Sequence, residues 1–332
     1  MKKIFYLMLT LAATFVTSCS NDAIDIDVEE EEVIEPEVVT STYDLNVSII
    51  TSSAYDAYGI GNWETLLGNN SGYFYIGIWT YLYDESGYLV DYVKSYTETF
   101  TNLTSTFGEL ESGTYTIVCV ETLVDSDYDY ESLVCTMEDT DKLSTFVIKM
   151  NAYTNIIWCY TIATTTQTLT ISDNNQSVTI EPEPIGEIIT FSYENINNSD
   201  YAKVGLYLKN VPLGYYVSSD YTGSTKYYYN KYNNDTTYNC LCNFSDDKLT
   251  SSDSDSFYIL ASGSQNYTFG LSTSTQVENS KYTPYPSEEG VDITFENGIN
   301  YIAYLLNTQE GDSIATFLGT SDDFNEWYNN IE

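Results

Sequence analysis

From Tyr43 onward apolar and polar positions alternate with a period of two. Leu45, Val47 and Ile49 fall on one face of Asp44 to Ile50. Within Tyr73 to Tyr83, Phe74, Ile76, Ile78 and Leu82 alternate with Tyr73, Tyr75, Trp79, Tyr81 and Tyr83. Such alternation marks strands. It predicts further strands at Thr114 to Thr122, Thr145 to Met150, Ile156 to Ile162, Ser177 to Ile180, Glu187 to Tyr193, Lys203 to Leu208, Ser256 to Leu260, Val291 to Phe295 and Asn300 to Leu306. Helical periodicity is nearly absent. The last segment, Thr320 to Glu332, shows no strand alternation either. Between two of the runs, Asp84-Glu85-Ser86-Gly87 reads as a hairpin turn, with Gly87 free to take the positive φ that closes it.

The number of strands and the length of the chain fit two domains better than one. After Ile162 the sequence turns polar through Ala163-Thr164-Thr165-Thr166-Gln167, and a new set of strands follows. The expected division is therefore near Gln167, giving β-sandwiches over 43–167 and 168–332. Glu111-Ser112-Gly113-Thr114-Tyr115 and Glu296-Asn297-Gly298-Ile299-Asn300-Tyr301 form a short internal repeat, an acid-x-Gly turn opening a Tyr-bearing strand. Tyr215 to Tyr238 departs from the pattern. It is rich in Tyr, Asn, Ser and Thr, contains Tyr227-Tyr228-Tyr229, and reads as part of an irregular insertion over 215–255.

Ahead of the strands the pattern is different. Lys2 and Lys3 precede an apolar run from Ile4 to Val16 that is too short to span a bilayer, and Val16-Thr17-Ser18 leads into Cys19. A basic start, a short apolar core and small residues form an export signal. The Val-Thr-Ser-Cys sequence resembles the lipobox of bacterial lipoproteins, which implies a signal peptide over 1–18 and a lipid on Cys19 that holds the protein to the membrane. Residues 19–42 carry the acidic run Glu29 to Glu32 and then Glu35-Pro36-Glu37. Such a block does not collapse, and reads as a disordered tether of roughly 25 Å or more. The fold class is thus all-β: two tandem antiparallel β-sandwich domains after a signal peptide and an acidic disordered tether.

Charge and composition narrow the chemistry. The chain carries 49 acids against 11 lysines, no arginine and no histidine, for a formal net charge of −38. That surface repels phosphate backbones, so no nucleic acid is expected as a partner. Without imidazole or guanidinium, Ser-His-Asp and Cys-His nucleophiles, most zinc sites and bidentate phosphate clamps are unavailable. Carboxylate chemistry of the glycosidase kind is what remains for an enzyme, and no particular pair of acids stands out. A non-enzyme with no cofactor is expected.

Three groups of residues invite a site. The rings of Tyr227, Tyr228 and Tyr229 can stack on sugars or simply cover sheet surface. Cys119 and Cys135 sit on strands that are expected to be neighbours and can form a disulfide if they face one another, while a buried thiol is the ordinary state of a lone cysteine. Asp125-Ser126-Asp127-Tyr128-Asp129 opens like a calcium loop, but Tyr130 stands where the turn glycine belongs and Thr136 where the closing Glu belongs. Asp253 and Asp255 form a second, sparser acidic pair, read as a hairpin tip. Calcium remains the one cofactor to weigh.

Several stretches together resemble the Bacteroidetes fimbrillin superfamily: the lipobox at Cys19, the strand Asp44 to Ile50, the strand-turn-strand Tyr75 to Val90, and Pro184-Ile185-Gly186-Glu187-Ile188-Ile189. The acidic stretch after Cys19 is similar to the export tag of surface lipoproteins in these bacteria. The resemblance implies two transthyretin-like sandwiches, an outer-membrane and surface-exposed location, and pilus subunits or other surface proteins as partners. Polymerising members are cut after Arg or Lys beyond the first strand. This chain has no basic residue between Lys3 and Lys94, which implies an anchor or accessory protein in surface assembly or adhesion. The alternative is a glycan-binding lipoprotein serving polysaccharide uptake.

Overall fold

The computed structural model describes residues 41–51, 74–97, 102–125, 131–132, 135–150, 162–196, 201–209, 212, 214–218, 227–228, 238–245, 252–260, 263–272, 283–287, 289–308 and 313–331. Nearly all are in strands: β1 (Tyr43–Ile49), β2 (Phe74–Tyr83), β3 (Leu89–Thr97), β4 (Leu103–Leu110), β5 (Gly113–Asp125), β6 (Glu131–Ser132), β7 (Cys135–Glu138), β8 (Val147–Met150), β9 (Ile162–Ile171), β10 (Gln176–Ile180) and β11 (Glu183–Pro184). There follow β12 (Glu187–Glu194), β13 (Lys203–Lys209), β14 (Gly214–Tyr216), β15 (Tyr227–Tyr228), β16 (Tyr238–Ser245), β17 (Ser252–Ile259), β18 (Gly263–Ser272), β19 (Thr283–Tyr285), β20 (Val291–Phe295), β21 (Asn300–Thr308) and β22 (Ser313–Thr320). One α-helix, α1 (Ser321–Asn329), closes the described chain. The protein is all-β, as the period of two requires.

A first core is built in three layers. The central sheet runs β11-β9-β5-β2-β3, with β6 beside β5. On one of its faces lies the sheet β10-β1-β4, whose Leu45, Val47, Ile49 and Phe107 are buried with Ile76, Ile78 and Leu82 of β2. A hydrogen bond of 2.9 Å between the Thr80 and Ser105 hydroxyls crosses this interface. On the other face Phe146 packs edge-on against Tyr81 at 4.9 Å, at the margin of the sheet β15-β14-β8-β7. Thr80 and Tyr81 point in opposite directions because neighbours on a strand must. The second core lies between β17-β12-β21-β22 and β16-β13-β18-β19, with β20 beside β18, and is filled by Phe191, Leu206, Phe269 and Leu305 among others.

Most strand pairs are antiparallel, but β1 pairs with β10 and β12 with β21 in parallel. An alternating sequence carries no sign of strand direction, so this departure from all-antiparallel sandwiches was not visible in it. Gln167, where a division was expected, lies in the middle of β9 and opposite Ile117 of β5. Of the polar residues there, Thr166, Gln167 and Thr168 are exposed, whereas Thr164 is buried and its hydroxyl donates to the Cys119 carbonyl at 2.8 Å. The change from one core to the other falls at β12 instead: Ile185 and Ile188 are buried in the first core, Ile189 in the second.

Gly186 holds that crossover. A Cβ there would overlap the Ile259 carbonyl oxygen and lie 2.5 Å from the Tyr258 hydroxyl, and the Gly186 carbonyl accepts from the Gly298 amide at 2.9 Å. The internal repeat also has a structural counterpart. The Tyr115 hydroxyl donates to the Glu111 carbonyl at 3.0 Å, and the Glu296 amide donates to the Tyr301 hydroxyl at 2.9 Å.

The helix was missed in the sequence. Thr320 caps it, accepting from the Asp323 amide, and Phe324, Trp327 and Tyr328 lay their rings on Phe317 and Tyr304 of the β21–β22 hairpin. Thr320-Ser321-Asp322-Asp323 is a capping signal, and the i, i+3, i+4 spacing of the three rings is helical.

Candidate functional site

The β2–β3 hairpin builds the most exposed apolar surface of the described residues. Its turn forms as its residues dictate. The Asp84 amide donates to the Tyr88 carbonyl at 2.9 Å, the Tyr88 amide donates to the Asp84 carboxylate at 2.9 Å, and Gly87 takes φ of 76°. A register shift next to Leu82 and Tyr83 follows, and from Asp91 onward β3 runs regularly along β2. β3 is the outermost strand of its sheet, so what it carries on its faces meets solvent unless something covers it.

Among the described residues little covers it, and the large hydrophobic ones that stay exposed are Tyr88 (55%), Val90 (45%), Tyr92 (56%) and Tyr96 (48%), all within nine residues of one strand and its approach. Scattered apolar residues on a surface need no explanation; a contiguous group does. Alternation places Tyr92, Lys94 and Tyr96 on one face, opposite Tyr81, Trp79 and Gly77 of β2. Each is held by a second group. Tyr92 stacks on Tyr81 with centroids 5.7 Å apart and planes 22° apart, and Tyr96 meets the Tyr75 ring edge-on at 6.0 Å. The Lys94 ammonium sits 5.1 Å from the centre of the Trp79 ring, and at the start of the strand the Lys142 ammonium lies 5.4 Å from that of Tyr88. Tyr81 and Trp79 are themselves nearly buried, which fixes the platform under the exposed rings. Side chains oriented in advance lose less entropy on binding.

The backbone of this edge is less open than its side chains. The Tyr92 amide donates to the Asp91 carboxylate at 2.8 Å. At the strand's beginning the Leu89 amide donates to the Asp141 carbonyl and Tyr88 bridges to Lys142, so the segment before Phe146 lies along the first residues of the edge.

No protein-family model matches the sequence, and no curated protein matches it. Several solved structures are similar in shape. A fimbrial assembly protein from Parabacteroides distasonis is 12% identical, with 86% of this chain and 97% of that one covered and a TM-score of 0.41. A fimbrial anchor protein from Porphyromonas gingivalis is 9% identical over 84% of this chain and 98% of its own, with a TM-score of 0.43. A tip fimbrial protein from the same organism, truncated at its C-terminus, is 12% identical, covers 84% and 100% of the two chains, and has a TM-score of 0.36.

The residues singled out in the sequence do not converge on one place. Tyr227 and Tyr228 form β15, opposite Tyr215 and Gly214; their side chains, and all of Tyr229, lie outside the described residues, as does Cys19. Cys119 and Cys135 are both buried and not joined by a disulfide. The reason is topological. Cys119 lies between β2 and β9 in the central sheet, whereas Cys135 pairs with Met150 in the sheet of β7 and β8. Asp125 ends β5, and 126–130 lie outside the described residues. Asp253 and Asp255 are not at a hairpin tip: they pair in β17 with Tyr193 and Phe191 of β12. Among the described residues no three His, Cys, Asp or Glu side chains gather as metal ligands.

Two acids are placed where sequence gave no hint. Glu121 and Glu187 are fully buried, and no carboxyl oxygen of either has a hydrogen-bond partner. Desolvation raises both pKa values well above the ordinary carboxyl range. Burial first, with Glu121 beside it, also pushes the Cys119 thiol up, against a hydrogen bond with Thr80 that lowers it. Each acid interrupts or opens an apolar run, the only trace such a position leaves in sequence.

Proposed function

We propose that the chain is a non-catalytic cell-surface lipoprotein, held to the outer membrane by a lipid on Cys19, that serves as a fimbrillin-like anchor or accessory protein in surface assembly or adhesion. The aromatic face of β3 is its contact surface. The observation that carries the reading is the gathering of the exposed large hydrophobic side chains on one edge strand, with rings held in place by buried partners. A globular body carrying such a face at the end of an acidic tether is suited to meeting another surface. The same rings favour a second reading, a glycan-binding lipoprotein that passes polysaccharide to an uptake system.

Two variants and an intact-mass measurement test the proposal. Cys19→Ser should move the protein from the membrane to the soluble fraction, and intact mass of the membrane-bound form should place its N-terminus at Cys19. Cells displaying Tyr92→Ala/Tyr96→Ala should lose adhesion and the co-purification of surface partners. Unchanged behaviour in both assays would remove β3 as the contact surface.

A further inference from the structure

We infer that the pocket between β20 and the end of β22 is a binding site for a primary ammonium group carried on an aliphatic stem, as in a lysine side chain or a free alkylamine. It belongs to the second core and does not depend on the reading of β3.

The pocket opens between the two sheets of that core, where β20 and the turn after it face the last residues of β22 and the first turn of α1. Its volume is about 300 Å³, near the lower end for sites that enclose a small ligand. Tyr301 and Leu318 are buried and form the floor, Ile293 and Ile299 are half-buried at the sides, and the exposed Glu296 and Asp323 stand at the rim. The walls are already set. The Tyr301 hydroxyl accepts from the Glu296 amide at 2.9 Å and donates to the Thr294 carbonyl at 3.5 Å, and the Phe295 ring meets the Tyr301 ring edge-on at 4.7 Å. Across the pocket the Thr320 hydroxyl donates to the Asp323 carboxylate at 2.7 Å. Walls that need no ordering cost less to occupy.

Charge selects the ligand. A helix N-terminus by itself draws anions, but α1 begins with Asp322 and Asp323, and the Asp323 amide is engaged by Thr320. Behind the floor stands Glu187. Ile189, two residues further along the same face of β12, is paired with Tyr301. Burial first, and then the carboxyls of Glu187 and Glu296, raise the Tyr301 hydroxyl, against the Glu296 amide that lowers it. The described lysines are placed elsewhere: Lys94 and Lys142 at β3, Lys149 against Glu138, and Lys203 and Lys209 on β13, with β18 between them and β20. An anion is therefore unwelcome. A bare divalent ion is poorly served too, since calcium takes about six to eight oxygens and among the described residues no three acid side chains gather. An organic ammonium suits both parts, with methylenes against Ile293, Ile299 and Leu318 and the charge at the rim. The net charge of −38 draws cations to the whole surface, but charges beyond about 8 Å are largely screened at physiological salt. Selection by the stem is what the pocket adds.

Full-length protein in detergent, with isotope-labelled isoleucine methyl groups, is titrated at physiological salt with n-butylamine, methylamine, n-butanol and the Nα-acetyl N-methylamide of lysine, while the NMR signals of Ile293 and Ile299 are followed. Both signals should shift to saturation with n-butylamine. Methylamine, which lacks the stem, and n-butanol, which lacks the charge, should each bind at least about fivefold more weakly. Glu296→Gln should weaken n-butylamine about threefold, whereas Glu85→Gln, which removes the same charge from the exposed β2–β3 turn, should leave it unchanged. Saturation by the lysine derivative assigns the pocket to a side chain of a partner protein, and saturation by n-butylamine alone assigns it to a free amine. Methylamine or n-butanol binding as tightly as n-butylamine, equal losses in the two variants, or no saturable change at Ile293 and Ile299 with either amine of longer stem would each overturn the inference.

Discussion

Gly186 offers the most direct perturbation of the fold, because a single methyl group there meets backbone on one side and a fixed ring on the other. In Gly186→Ala the new Cβ would overlap the Ile259 carbonyl oxygen and stand 2.5 Å from the Tyr258 hydroxyl. Neither can yield cheaply. Ile259 is paired with Glu187 in the β12–β17 ladder, and the Tyr258 hydroxyl donates to the Ile162 carbonyl and accepts from its amide, both at 3.3 Å. Overpacking of a tight site costs about 1–3 kcal/mol, and breaking the Tyr258 hydrogen bonds adds about 1 kcal/mol. The sum, about 3 kcal/mol, corresponds to a fall in Tm of roughly 5 °C for a body of this size. Thermal unfolding followed by circular dichroism measures it, with Gly108→Ala as control, where the nearest atom is the exposed Asp44 carboxylate at 3.3 Å. If Gly186→Ala melts within a degree of the wild type, the crossover is softer than argued and the account of the two cores meeting at β12 is wrong.

Two further outcomes are expected. Glu121 is held protonated by burial, so its folded pKa lies above its unfolded one: its contribution to stability is complete below the ordinary carboxyl pKa and is lost as pH rises toward the folded value. Denaturant midpoints of wild type and Glu121→Gln at pH 5 and pH 8 should therefore show a smaller fall for the variant, and equal slopes would refute burial as the cause. Thr320→Ala removes the helix cap and should cost about 1 kcal/mol, read as a lowered Tm; no change would mean that the rings of Phe324, Trp327 and Tyr328 hold α1 without its cap.

Strands that bury one face strongly were legible in the sequence, and β1, β2, β12, β13, β20 and β21 lie close to where alternation placed them. Strands with short or interrupted apolar faces were not. β4 buries Ser105 and β9 exposes Thr166 to Thr168, so composition hid both. The site was half legible. The strand-turn-strand reading of Tyr75 to Val90 reached Tyr88 but not Tyr92 and Tyr96, and the exposure of all three depends on β3 being outermost, while sheet order is set by contacts far apart in the chain. Tyr227, Tyr228 and Tyr229 stand out instead as the densest cluster, since density is visible in a sequence and edge position is not. The disulfide expectation failed for the same reason: Cys119 and Cys135 are near in sequence and sit in different sheets.

The parallel pairing of β1 with β10 also sets an order of events. β1 lies between β4 and β10, and the Asp44 amide bonds to Asn175, 131 positions later. The first hydrophobic face made on the ribosome therefore waits for one of the last strands of its own core. At about 5–20 residues per second that interval is roughly 7–26 s of synthesis, and pairings so distant in the chain close slowly even afterwards. Over that span Leu45, Val47 and Ile49 stand in a segment with a half-built sheet. Of the two parallel pairs, β1 with β10 spans more of the chain than β12 with β21, so β1 is the strand left longest without its parallel neighbour.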